Sequence, residues 1–160
     1  MEPGRVSRRR DVLGLVAFVL LCFGTATLGR TATAHAVLDW YPALRKPSWT
    51  PPSWIFGPVW TALYGMMAVA GWLAWRDGRT RTATLVFLLQ LFLNGAWSWV
   101  FFGARRPDLA FACVVALWLA ILATIAAFWR VSRMAVILFV PYLAWVSFAA
   151  ALNLAVVRLN

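Results

Sequence analysis

Charged residues fall in short clusters along this chain, and between the clusters lie five long uncharged windows, at 12–29, 47–75, 82–104, 109–129 and 134–157. A helix crosses the hydrocarbon of a bilayer in about 20 residues, so each window is long enough to span. None keeps the strict two-residue alternation of a barrel strand, and an unclosed sheet cannot satisfy its backbone in lipid, so the windows read as helices. The predicted helices run over 12–29, 54–75, 82–103, 109–129 and 134–157. The expected fold is an all-α integral membrane protein, a five-transmembrane-helix bundle forming one domain over 1–160. The one long connection is the loop 30–53; the others hold only a few residues, which makes neighbouring helices antiparallel.

Composition agrees with this pattern. The chain is 63% hydrophobic and 12% charged, with a mean hydropathy of +0.77, far more apolar than a soluble domain. The net charge of +10 sits in loop clusters that suit lipid headgroups; no basic stripe on a soluble face points to nucleic acid. With an odd number of spans the termini lie on opposite sides. Nine basic residues on the N-terminal side against six on the other place the N-terminus in the cytoplasm by the positive-inside rule. Arg8-Arg9-Arg10 before the first span and Ala32-Thr33-Ala34 after it also resemble a cleavable signal, but four later spans argue for retention. Fourteen arginines to one lysine suggest a GC-rich bacterial coding sequence and so a bacterial envelope membrane. Cys22 and Cys113 lie in apolar windows, without the spacing of a metal or disulfide site.

Cutting the windows at each charge leaves no ionisable side chain deep in a span, unlike ion-coupled pumps. The single His35 falls in the first loop. Metal binding and Ser-His-Asp chemistry therefore lack their parts. Polar and aromatic residues do share faces: Gln90, Asn94, Trp97 and Phe101 in the third span, Trp60 and Tyr64 in the second, and Trp145, Ala149 and Asn153 in the fifth, beyond a kink expected at Pro141. Converging, these faces would form an aromatic cavity for a flat hydrophobic ligand. The competing reading gives the amides to interhelical hydrogen bonds. Seven of the eleven tryptophans lie near span ends, as interfacial belts do, whereas Trp60, Trp118 and Trp145 lie inside spans. Helix packing accounts for Trp118.

Trp40-Tyr41, Leu44, Lys46-Pro47, Trp49, Pro51-Pro52, Phe56, Val59-Trp60-Thr61 and Leu63-Tyr64 stand at the spacing of the TspO/MBR signature. Gln90, Leu93-Asn94, Trp97 and Phe101-Phe102-Gly103 continue it, as do Pro141-Tyr142-Leu143, Trp145 and Leu152-Asn153. Residues 38–158 thus resemble this tryptophan-rich translocator family; the first span matches only as an apolar stretch. The resemblance implies a ligand cavity between the helices, covered by the first loop, that takes porphyrins such as protoporphyrin IX, or haem, as ligand and requires no cofactor. Carried over by motif, Trp49, Trp60, Asn94, Trp97, Tyr142, Trp145 and Ala149 belong to the pocket, to which the faces read above add Tyr64 and Asn153. Trp60 and Trp145 match the indoles associated with light-dependent porphyrin breakdown. The family also implies a homodimer, although Leu85, Leu88, Leu89 and Phe92 stand where several members carry small residues at a contact. Leu154 replaces the tyrosine of the animal cholesterol pattern, which counts against sterol.

The expected function is a membrane receptor or sensor of a tetrapyrrole, linked to porphyrin regulation and oxidative stress. The alternative is transport of porphyrin or lipid-like molecules. A turnover enzyme is the less expected reading, since no dedicated cofactor site is legible, and an axial contact from His35 to haem iron is less expected than an ordinary loop role.

Overall fold

In the computed structural model, which describes residues 3–78 and 81–160, each of the five predicted spans is helical; Arg79, counted above among the N-terminal-side cations, lies outside the described residues. Helix α1 spans Pro3–Ala36, a short α2 Trp40–Ala43, α3 Phe56–Gly78, α4 Arg81–Ser98, α5 Pro107–Trp129 and α6 Arg133–Leu159. A 3-10 turn at Ser53–Ile55 leads into α3, and a π-helical turn at Trp99–Gly103 continues α4. Five segments are apolar and long enough to cross a membrane: Arg8–Ala36, Ser53–Gly78, Arg81–Gly103, Pro107–Trp129 and Arg133–Leu159. No strand occurs among the described residues. The chain is an all-α, multi-pass integral membrane protein.

The first helix runs past the predicted end at 29 to Ala36, and the connection shrinks to residues 37–52. Two effects carry it through Arg30. Near the membrane surface an arginine can extend its charged head toward water, so it need not end a span. The threonines on either side are satisfied within the helix: the hydroxyls of Thr25, Thr27, Thr31 and Thr33 donate to the carbonyls of Leu21, Phe23, Leu28 and Gly29 at 2.7–3.0 Å. His35 consequently lies in the last turn of α1 rather than in the loop. Helix α5 starts at Pro107, where a missing N–H costs nothing, with Asp108 in its first turn. Helix α6 stays continuous through Pro141.

One end of the bundle is closed by rings. Phe18 of α1 meets Phe87 of α4 edge-on at 5.4 Å; Phe87 stacks on Phe128 of α5 at 6.2 Å, and Phe139 of α6 sits 5.2 Å from Phe128. At the same end the Trp72 indole donates to the Asp11 carbonyl at 2.9 Å, and Arg10, Arg76 and Arg133 lie over Trp75, Trp72 and Trp129, a cation-and-indole girdle suited to headgroups. Toward the other end α1 and α3 no longer close on each other. Phe23, Thr27 and Arg30 of α1 and Gly57 and Thr61 of α3 are exposed there and border a cavity.

Gly71 permits the closed end. A Cβ at this position would lie 2.7 Å from the Phe18 ring and 2.9 Å from the Phe87 ring, closer than carbon atoms tolerate. Gly71→Val is expected to cost about 1–3 kcal/mol by overpacking, read as a lower unfolding temperature of the detergent-solubilised protein.

Candidate functional site

The cavity measures about 610 Å³, within the range of small-molecule sites. Helix α1 supplies one wall through Phe23, Ala26, Thr27, Arg30 and Thr33, a single helical stripe that continues to Val37. Helix α3 faces it with Phe56, Trp60, Thr61 and Tyr64; Trp97, Phe101 and Phe102 form the back, and Ala149, Leu152 and Asn153 of α6 complete it. Trp60 lies 5.7 Å from Tyr64 and 6.2 Å from Trp97, tilted by 37° and 34°. Trp97 in turn is 6.0 Å from Phe101. These rings make one continuous aromatic surface.

Local hydrogen bonding fixes that surface. The Trp97 indole donates to Asn153 Oδ1 at 3.2 Å, and Asn153 Nδ2 donates to the Pro107 carbonyl at 2.8 Å, tying α4 and α6 to the start of α5. The wider turn after Ser98, in which the Ala104 N–H reaches back to the Trp99 carbonyl at 2.8 Å, brings the adjacent rings of Phe101 and Phe102 to the same wall. π-helical turns recur at functional sites.

The loop lies over this back wall. Tyr41 packs 5.7 Å from Phe102, and Trp40 lies 5.6 Å from Phe101. Asp39 accepts from the Trp40 N–H at 2.6 Å and from Arg105 at 2.9 Å; Arg105 occupies the left-handed region at φ 54°. Lys46 donates to the carbonyls of Tyr41, Pro42 and Leu44. Arg45 and Asn160 exchange two bonds, each of 3.0 Å, between the Arg45 backbone and the Asn160 amide. The Trp40 N–H first, and then Arg105, hold the Asp39 carboxyl below its ordinary range.

Five of the sequence-predicted ligand residues border the cavity: Trp60, Tyr64, Trp97, Ala149 and Asn153. Trp49, Asn94, Tyr142 and Trp145 do not. Asn94 accepts from the Tyr64 hydroxyl, and its Nδ2 donates to the Tyr142 hydroxyl at 3.0 Å; Tyr142 donates to Gln90 Oε1, also at 3.0 Å. This buried chain joins α3, α4 and α6 behind the wall, so for Asn94 and Gln90 the interhelical reading is the one the geometry shows. Trp145 lies behind Phe56, 5.8 Å away, with a buried indole N–H that has no partner. Half-exposed Trp49 packs edge-on against Phe148 at 5.7 Å. His35 is exposed and outside the wall. Trp118 donates to Ser147 at 2.8 Å, an α5–α6 packing contact.

Sequence reasoning passed over the α1 stripe because that helix carries no motif. Arg30, at the charged border of the first window and so in the expected loop 30–53, belongs instead to α1. The i, i+3, i+4, i+7 spacing of Phe23, Ala26, Thr27 and Arg30 was the available signal.

The structure is a five-helix membrane bundle with an aromatic cavity beside an ordered loop. The model of the TspO/MBR family matches residues 18–159, and the chain belongs to that family. It is 41% identical over 157 residues to the tryptophan-rich protein TspO of Chlorobaculum tepidum, covering 94% of this chain and 98% of the relative. It is 40% identical to the tryptophan-rich sensory protein of Cereibacter sphaeroides, over 84% of this chain and 87% of the relative. To the translocator protein of Homo sapiens it is 42% identical, over 77% and 76% respectively.

Two outcomes follow from the hydrogen bonding around the cavity. Asn94→Ala is expected to cost about 1–3 kcal/mol of stability, because the Tyr64 and Tyr142 hydroxyls lose buried partners; thermal unfolding in micelles reads it. For Asp39, a carboxyl whose pKa is lowered on folding stabilises at pH above its unfolded value and loses that contribution as pH falls through the folded one. Hydrogen exchange of amides in 37–52 is therefore expected to speed up on acidification below the ordinary carboxylate range, and in Asp39→Asn already at neutral pH.

Proposed function

We propose that the protein is a membrane receptor or sensor whose cavity binds a flat, largely apolar tetrapyrrole. The continuous ring surface of Trp60, Trp97 and Phe101 carries this reading, because aromatic faces stack on a planar macrocycle over its whole area. The motif spacing and the sensory naming of the Cereibacter sphaeroides relative support it.

The donor set favours a metal-free macrocycle over haem. Haem iron is usually held by imidazole, thiolate, thioether or phenolate; no histidine, cysteine or methionine is among the described wall residues, and of the two wall phenols Tyr64 already donates to Asn94, which leaves Tyr41 alone of these ligand types. In light-driven breakdown of a bound porphyrin, Trp60 would be the indole in contact with the macrocycle, and Trp145 would be separated from it by Phe56.

Titration of the purified, detergent-solubilised protein with protoporphyrin IX, followed by tryptophan fluorescence, tests the proposal. Saturable quenching at micromolar ligand is expected. Trp60→Ala should weaken binding by about tenfold, the loss of roughly 1.4 kcal/mol of stacking, and should slow light-driven loss of porphyrin absorbance. Trp145→Phe should change affinity much less. Non-saturable quenching in the wild type would overturn the tetrapyrrole reading.

A further inference from the structure

Among the described residues the cavity wall contains one formal charge, Arg30. It lies six residues before the end of α1, about 9 Å of helix rise, in the middle of the stripe that faces the cavity. Among the described residues no hydrogen bond, ion pair or ring contact engages its guanidinium. Of the other cations at this end, Lys46 is committed to three carbonyls, Arg105 to Asp39 and Arg106 to Asp108, and neither Arg45 nor Arg158 borders the cavity. The same ion pairs occupy the side-chain carboxylates of Asp39 and Asp108 at this end of the bundle, and no described carboxylate pairs with Arg30. The Ser98 hydroxyl adjoins the next residue back, with Oγ 3.3 Å from where a Cβ on Gly29 would stand.

A guanidinium that borders an apolar cavity without a counter-charge binds a carboxylate strongly through its two-pronged donor face. We propose that Arg30 makes the cavity selective for ligands carrying a carboxylate on a flat apolar body. The acid pairs with Arg30 at the exposed border between α1 and α3, beside Ser98, while the ring system lies on Trp60 and Trp97. This deepens the tetrapyrrole reading and rests on it. The same guanidinium could instead meet a lipid phosphate, so the test separates the two anion sources.

Protoporphyrin IX and its dimethyl ester share the macrocycle and differ in the carboxylates. Each is titrated into wild type, Arg30→Gln and Arg30→Lys in neutral detergent, with and without added phosphatidylglycerol. The free acid should bind wild type about tenfold or more tightly than the ester, as expected for charge-assisted hydrogen bonds. Arg30→Gln should abolish that preference by weakening the acid and leaving the ester unchanged, and Arg30→Lys should restore part of it. Unfolding temperatures matching wild type would show that the variants are folded. Equal affinity of acid and ester in wild type, or equal loss of both in Arg30→Gln, overturns the assignment while leaving the cavity reading intact. So does a preference that survives Arg30→Gln while phosphatidylglycerol binding falls, which makes Arg30 a headgroup anchor. If neither porphyrin binds saturably, the tetrapyrrole reading fails and this assignment with it.

Discussion

Hydrocarbon offers no hydrogen bonds, and most of this structure follows from the need to satisfy polar groups without water. The threonines of α1 turn their hydroxyls back onto their own helix. Asn94 and Asn153 spend both ends of their amides on neighbouring helices and Gln90 its oxygen, through the chain from Tyr64 to Gln90 and the link from Trp97 to Pro107. Because lipid tails are as apolar as leucine side chains, burial alone gives helices little reason to associate there. Close packing at Gly71 and these cross-helix bonds supply that reason. They also hold the indoles and phenols rigid, which lets an aromatic surface keep one shape around a cavity.

The two ends of the bundle divide the work. Where α1 meets α3, rings from four helices fill the interior and an arginine-and-tryptophan girdle surrounds it. At the opposite end the same two helices stand apart, and the space between them is roofed by a loop pinned at Asp39, Arg45 and Lys46. The fold thus places a stable packed half beneath a half that can admit a guest.

Much of this was legible in the sequence, because charge clusters mark where spans end and apolar length marks where they run. The five spans, the tight turns and the faces holding Trp60, Tyr64, Trp97, Ala149 and Asn153 could be read from spacing alone. Depth along a face could not. Asn94 and Tyr142 share helix faces with wall residues, yet they point into helix contacts, a distinction set by how far neighbouring helices lean together. Charge marks the end of an apolar window but not of a helix, since an arginine close to the membrane surface is compatible with one, so Arg30 and the last turns of α1 extend beyond the first window. The π-helical turn also left no periodic trace, since it shifts the register of only a few residues.

The direction of the bonds behind the wall has a consequence for any guest. Thr27, Thr33 and Thr61 give their hydroxyl protons to Phe23, Gly29 and Gly57; Tyr64 gives its proton to Asn94, and Trp97 gives its N–H to Asn153. What these five side chains turn toward the cavity is therefore oxygen lone pairs or ring faces. A guest bearing its own N–H or O–H groups meets acceptors along those surfaces, whereas one whose polar atoms are all acceptors meets few hydrogens there. Away from Arg30 the wall is thus polarised against acceptors, a discrimination that neither the cavity's volume nor its aromatic content expresses.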